Sequence, residues 1–231
     1  MAGTPTPRIR TWSAPATPRG LALLLHGGRE HSQAPVRPTQ PGPLRMLPFA
    51  WRLAAAGRSR GLAVCTLEYR FRGWNGPLRS PVTDTRWALE QLRERFGDVP
   101  VALVGHSMGG RTAVWSADHP NVRAVAALAP WLPLGEPVER LADRSLLLVH
   151  GTADQITRPH ETIAYAVQAR PVAARVLQVL LAGGDHGMLR RPWLWHELTL
   201  EYVLSSLFAE PDQPGGAIDW AAAGTPDGCL L

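Results

Sequence analysis

Ser107 stands in Gly105-His-Ser-Met-Gly109, a setting in which a hydroxyl can become a nucleophile. A serine hydroxyl is weak at neutral pH. It needs a base to take its proton and a third group to fix the tautomer of that base. His186, in the glycine-flanked Gly183-Gly-Asp-His-Gly187, is the candidate base, and Asp154, in His150-Gly-Thr-Ala-Asp154, is the candidate orienting acid. Asp185 is the rival acid, but it adjoins His186 and would have to curl round to reach its neighbour's imidazole, so it reads as a loop-fixing residue. The chemistry of such a set is attack on an acyl carbonyl. The negative charge that develops there needs donors, and the N–H of Met108, at the start of a helix, is one.

These side chains matter only if the chain brings them together. The apolar run that ends at Gly105 predicts a strand, and residues 111–119 read as a helix, so Ser107 sits on the tight turn between them. Gly105 and Gly109 lack a Cβ, which lets strand and helix approach closely at that bend. Short apolar runs predict further strands over 20–25, 62–69, 122–129, 145–150 and 174–181, and the alternating stretch 8–13 predicts an antiparallel edge strand. Helical spacing marks 44–56, 82–96, 159–169 and 192–208. On the second of these, Trp87, Ala88, Gln91, Leu92 and Arg95 trace one face. The alternation predicts an α/β fold, a mostly parallel sheet with helices on both faces. Strand C-termini then share one edge, where ligand-binding loops gather. His26, Ser107, Trp131, Asp154 and His186 all follow strand ends. Residues 1–7 read as a disordered N-terminus, 8–210 as one domain, and 211–231, rich in Gly and Pro, as a disordered tail dispensable for catalysis.

The strand, Gly-x-Ser-x-Gly turn and helix together resemble the nucleophile elbow of the α/β-hydrolase superfamily. The order Ser107, Asp154, His186 matches that family's chain order, and Gly151-Thr-Ala-Asp154 after a strand resembles its acid loop. The resemblance spans residues 20–208. It implies that His26-Gly27 shapes an oxyanion hole in which the N–H of Gly28 faces that of Met108. A cap is commonly inserted after the strand that ends near Trp131. Here only a short stretch precedes Ser145, so the chain is similar to the small, cap-poor members, the dienelactone-hydrolase-like and carboxylesterase-like proteins. The resemblance implies a serine hydrolase of carboxylic esters or thioesters that works through an acyl-enzyme. The alternatives on the same fold are an acyltransferase and a non-catalytic binding or regulatory protein.

Composition narrows the other classes. All 24 basic residues are Arg, net charge is +5, and the arginines are scattered rather than clustered, which argues against nucleic-acid binding. No run approaches the length of a membrane span, and the first residues lack the apolar core of a signal peptide. Two cysteines, Cys65 and Cys229, imply no structural disulfide and fit a cytoplasmic location. No His-Glu-x-x-His or Cys/His cluster suggests a metal, and no motif suggests a cofactor. The expected partner is a small-molecule ester or thioester. Two substrate-binding residues are expected, Trp131 as an aromatic wall and Arg29 at the start of the Pro-rich loop 29–43. Beside the oxyanion donor, that loop would gate the site and favour anionic or polar substrates.

Overall fold

The apolar runs that lack helical period form strands buried on both faces. The computed structural model describes residues 5–208, 220–225 and 228–231. In chain order the elements are β1 (Arg8–Ser13), β2 (Gly20–Leu25), α1 (Pro41–Gly57), β3 (Leu62–Glu68), α2 (Ser80–Phe96), β4 (Val101–His106), α3 (Met108–Trp115) and β5 (Val122–Leu128). There follow β6 (Ser145–Gly151), α4 (Pro159–Ala169), β7 (Arg175–Leu181), α5 (Pro192–Phe208), α6 (Trp220–Ala223) and β8 (Cys229–Leu230). They build one eight-stranded sheet in the order β1-β3-β2-β4-β5-β6-β7-β8. Only β1 runs antiparallel, against β3, with a register irregularity between Thr11 and Ser13.

Strand alternation divides the core between the two faces of the sheet. Leu21, Leu23 and Leu25 of β2 and Leu103 of β4 meet Leu89 and Leu92 of α2, Ala113 of α3 and Tyr165 of α4. Ala22 and Leu24, with Val104, meet Met46, Phe49 and Leu53 of α1 and Trp195, Leu198 and Tyr202 of α5. Each fully buried large apolar side chain contributes roughly 1.5–3 kcal/mol. These two layers therefore hold the sheet rigid under the loops at its edge. Between β5 and β6 the backbone forms only a short 3₁₀ turn at Glu139–Leu141, so no large cap stands over the sheet.

Three expectations change. On α2 the buried positions include Val82, Thr85, Ala88, Leu89 and Leu92, a stripe at i, i+3, i+4, i+7 spacing. Trp87 lies off that stripe and is exposed. The helix after the elbow starts at Met108 and ends at Trp115. The expectation of a disordered tail fails for its described residues. Ala223 is fully buried, and β8 pairs in parallel with β7. Leu231 N donates to Leu180 O at 2.9 Å, Ala182 N donates to Leu231 O at 2.8 Å, and Arg191 Nη1 reaches the same carbonyl. Residues 209–219 and 226–227, which hold the intervening Gly and Pro, lie outside the described residues, as do residues 1–4. Backbone pairing on the open edge of β7 accounts for order that composition alone does not foresee. Among the described residues no helix is long and apolar enough to cross a membrane.

Candidate active site

Ser107 occupies the bend between β4 and α3 with φ 54° and ψ −118°, a left-handed conformation costly for a residue with a Cβ. The bend closes because its flanking positions are glycines. A Cβ on Gly105 would collide with the Gly109 carbonyl, and one on Gly109 with the Leu25 carbonyl. The strain is held by neighbours on both sides: Ser107 N donates to Leu128 O at 3.0 Å, and Trp131 N donates to Ser107 O at 3.2 Å.

His186 comes from the loop after β7, and its Nε2 lies 3.1 Å from Ser107 Oγ. Its Nδ1 lies 2.8 Å from Asp154 Oδ2, at the end of β6. The His186 side chain is 18% exposed and that of Asp154 0%. With a carboxylate at Nδ1, that nitrogen carries the proton, and Nε2 is left to accept from the Ser107 hydroxyl. Asp154 is held by a full set of donors. Oδ1 accepts from the amides of Ile156 (2.8 Å) and Thr157 (3.0 Å), and Oδ2 from Thr157 Oγ1 (2.9 Å) and His150 Nε2 (3.1 Å). Burial pushes the Asp154 carboxyl up. The hydrogen bonds from His150, His186 and the two amides outweigh it and hold the group well below the usual carboxylate range.

His150 and Thr157 are the residues the sequence reading missed. His150, fully buried, receives at Nδ1 the hydroxyl proton of Thr162 on α4 (2.7 Å), which leaves the Nε2 proton for Asp154. The i, i+4 spacing of His150 and Asp154 across a strand end was the signal available. His106 donates from Nε2 to the His186 carbonyl at 2.9 Å and so fixes the backbone of the loop that carries His186.

Gly28 and Met108 lie against each other, since a Cβ on Gly28 would overlap the Met108 side chain. Met108 opens α3, where the helix leaves its N–H without an internal acceptor. Ser107 and His186 line a cavity of about 270 Å³ together with Gly28 and Arg29. Trp131 does not line it. Its ring belongs to a neighbouring depression of about 550 Å³, edge-on to Trp74 (centroids 6.3 Å apart). Arg111 lies 4.3 Å over the Trp131 ring while pairing with Glu136. Nor does loop 29–43 hang free. Arg72 N donates to Ala34 O, Val36 N to Arg70 O, and the Asn75 side chain bonds both the N–H and the carbonyl of Ser32. Among the described residues no cluster of His, Cys, Asp and Glu could hold a metal ion.

Two buried histidines beside this cavity make the fold sensitive to acid. Burial lowers His26 to about 4; burial, reinforced by Coulombic repulsion from neighbouring His186 and Arg45, lowers His106 to about 3, from an ordinary 6.5. The unfolded chain takes up these protons below pH 6.5 and the native state does not. Stability is therefore undiminished above 6.5 and falls as pH drops toward 4, at up to about 1.4 kcal/mol per pH unit for each group. Urea unfolding at pH 5 should show a loss of roughly 4 kcal/mol relative to pH 7 from the pair. His106→Gln should remove about half of that difference, and an unchanged pH slope in the variant would rule His106 out as a source.

The comparisons with known proteins agree with this architecture. A family profile described as the alpha/beta hydrolase fold matches residues 23–169. Monoglyceride lipase from Mus musculus is 27% identical over 130 residues, 55% of this chain and 40% of the lipase, so the match takes in less than half of that relative. A protein of unknown function from Agrobacterium tumefaciens superposes with a TM-score of 0.67 at 17% identity, covering 89% of this chain and 94% of its own. A thermophilic esterase from Thermogutta terrifontis, solved with propionate bound, superposes with a TM-score of 0.64 at 17% identity, covering 90% and 92%.

Proposed function

This chain belongs to the α/β-hydrolase fold family, and from that premise we propose that it is a serine hydrolase of small carboxylic esters or thioesters. The observation that carries the reading is the unbroken relay from Ser107 Oγ to His186 Nε2 and from His186 Nδ1 to Asp154, at 3.1 and 2.8 Å. In this reading Ser107 attacks the acyl carbonyl while His186 takes its proton. His186 then returns the proton to the departing alcohol or thiol, and an acyl-enzyme remains on Oγ. Water, deprotonated by His186, releases the acid. Asp154 keeps the imidazole in the accepting tautomer and stabilises the imidazolium. The N–H groups of Gly28 and Met108 receive the oxyanion, each worth about 3 kcal/mol in the transition state. The names of the lipase and the esterase above, both ester hydrolases, support the reaction class.

The test is p-nitrophenyl butyrate turnover together with labelling by a fluorophosphonate probe. Turnover with one label on Ser107 is the expected result. Turnover that favours an added alcohol over water would move the reading to acyl transfer. No turnover and no label would leave a binding protein on the same fold.

A further inference from the structure

We infer that the ester this site takes carries a carboxylate a few bonds from its scissile carbonyl. The inference rests on the ester-hydrolase reading above and adds the substrate class to it.

The cavity that holds Ser107 and His186 is lined by three arginines from three separate segments. Arg29 comes from the loop after β2, Arg45 from the N-terminal half of α1 and Arg72 from the loop after β3. No Asp or Glu lines the cavity. Elsewhere several arginines are matched with acids: Arg70 with Asp84, Arg86 and Arg140 with Asp118, Arg111 with Glu136, Arg52 with Glu197. Among the described residues Arg29, Arg45 and Arg72 enter no such pair. Unpaired arginines stand elsewhere on the surface too; what sets these three apart is that they share one cavity with the candidate nucleophile.

Their surroundings neutralise them only in part. His26 and His106, which share the lining, are held neutral by burial. Asp185, next to His186, accepts at Oδ1 from the amides of Leu189 and Arg190 and stays out of the lining, with its Oδ2 on the Arg45 side of Gly187. The first turn of α1, whose Pro41 and Gly42 also line the cavity, contains no acid, so the positive end of that helix adds to the field. Arg45 Nη1 donates to the Gly187 carbonyl, which ties this guanidinium beside His186 and leaves its other N–H groups for a ligand. Three like charges around about 270 Å³ repel one another, and an anion relieves that repulsion. A carboxylate suits the guanidinium fork, which offers two parallel donors to two acceptor oxygens. The volume suits a short acyl group bearing that carboxylate rather than a long chain.

The test compares kcat/KM for mono-p-nitrophenyl glutarate with that for p-nitrophenyl valerate, which shares the leaving group but ends in a methyl. A preference of about 30-fold for the glutarate is expected at low ionic strength. It should shrink several-fold in about 0.5 M NaCl, because these groups are partly open to solvent. It should fall about tenfold in Arg72→Gln and further in Arg29→Gln/Arg72→Gln. If a variant fails to fold, the salt response of the unsubstituted protein decides alone. Equal or better turnover of the valerate at low salt, with Ser107 still labelled by fluorophosphonate, would overturn the carboxylate inference and leave ester hydrolysis standing. A preference that survives in the double variant would overturn the role of these arginines. Failure of both esters together with failure of labelling would bring down the ester-hydrolase reading and this inference with it.

Discussion

Ser107→Ala should lower ester turnover by about 10⁵-fold and abolish fluorophosphonate labelling, with the fold intact. The magnitude follows from the relay. Without Oγ, His186 has no hydroxyl to deprotonate, and only positioning and the two oxyanion donors act on the substrate. The fold persists because the strain at position 107 is backbone strain, at φ 54°, which Ala bears as Ser does. Ser107→Gly separates the two contributions. It should lose the same activity while gaining about 1 kcal/mol of stability, since glycine is at ease at positive φ. Turnover retained in either variant would remove Ser107 from the chemistry.

A loss of about 10⁴-fold is expected for Asp154→Asn, the second largest effect. Every group around this carboxylate is a donor: two amides, the Thr157 hydroxyl, His150 and His186. An amide side chain brings an NH₂ into that ring. If it faces His186, it favours the tautomer with the proton on Nε2, which cannot accept from Ser107. If it faces the backbone, it meets the N–H groups of Ile156 and Thr157. The substitution should therefore lower Tm as well as kcat. His150→Gln, which leaves His186 and Asp154 in place, should cost much less activity. A kcat in Asp154→Asn within tenfold of the parent would show that the orientation of His186 does not depend on this acid.

Much of this fold was readable from local pattern. The strands came from apolar runs whose length and flanking glycines exclude helix, and the Ser107 bend from two glycines at the spacing a strand–helix collision demands. Ser107, Asp154 and His186 each follow a strand end, so a parallel sheet alone brings them to one edge. What escaped depends on pairing between distant segments. Arg45 and Arg72 reach the cavity only because α1 and the loop after β3 converge there. Trp131 follows the elbow strand's neighbour as expected, yet its ring is taken by Trp74 and Arg111, a contact across three segments. Two residues of β8 carry no periodic signal and gain order from the β7 edge they cover.

Those edges also bear on how the molecule behaves in concentrated solution. An unpaired strand margin is a template on which a second chain can grow a continuous sheet. At one side β8 offers two residues, too few to seat an incoming strand. At the other, β1 is broken in register near Ser13 and carries exposed Arg8 and Arg10. Two molecules meeting margin to margin would oppose like charges across a bent ribbon. The buried, apolar middle strands, whose sequences would stack readily, are thus fenced from one another by poor partners on both sides.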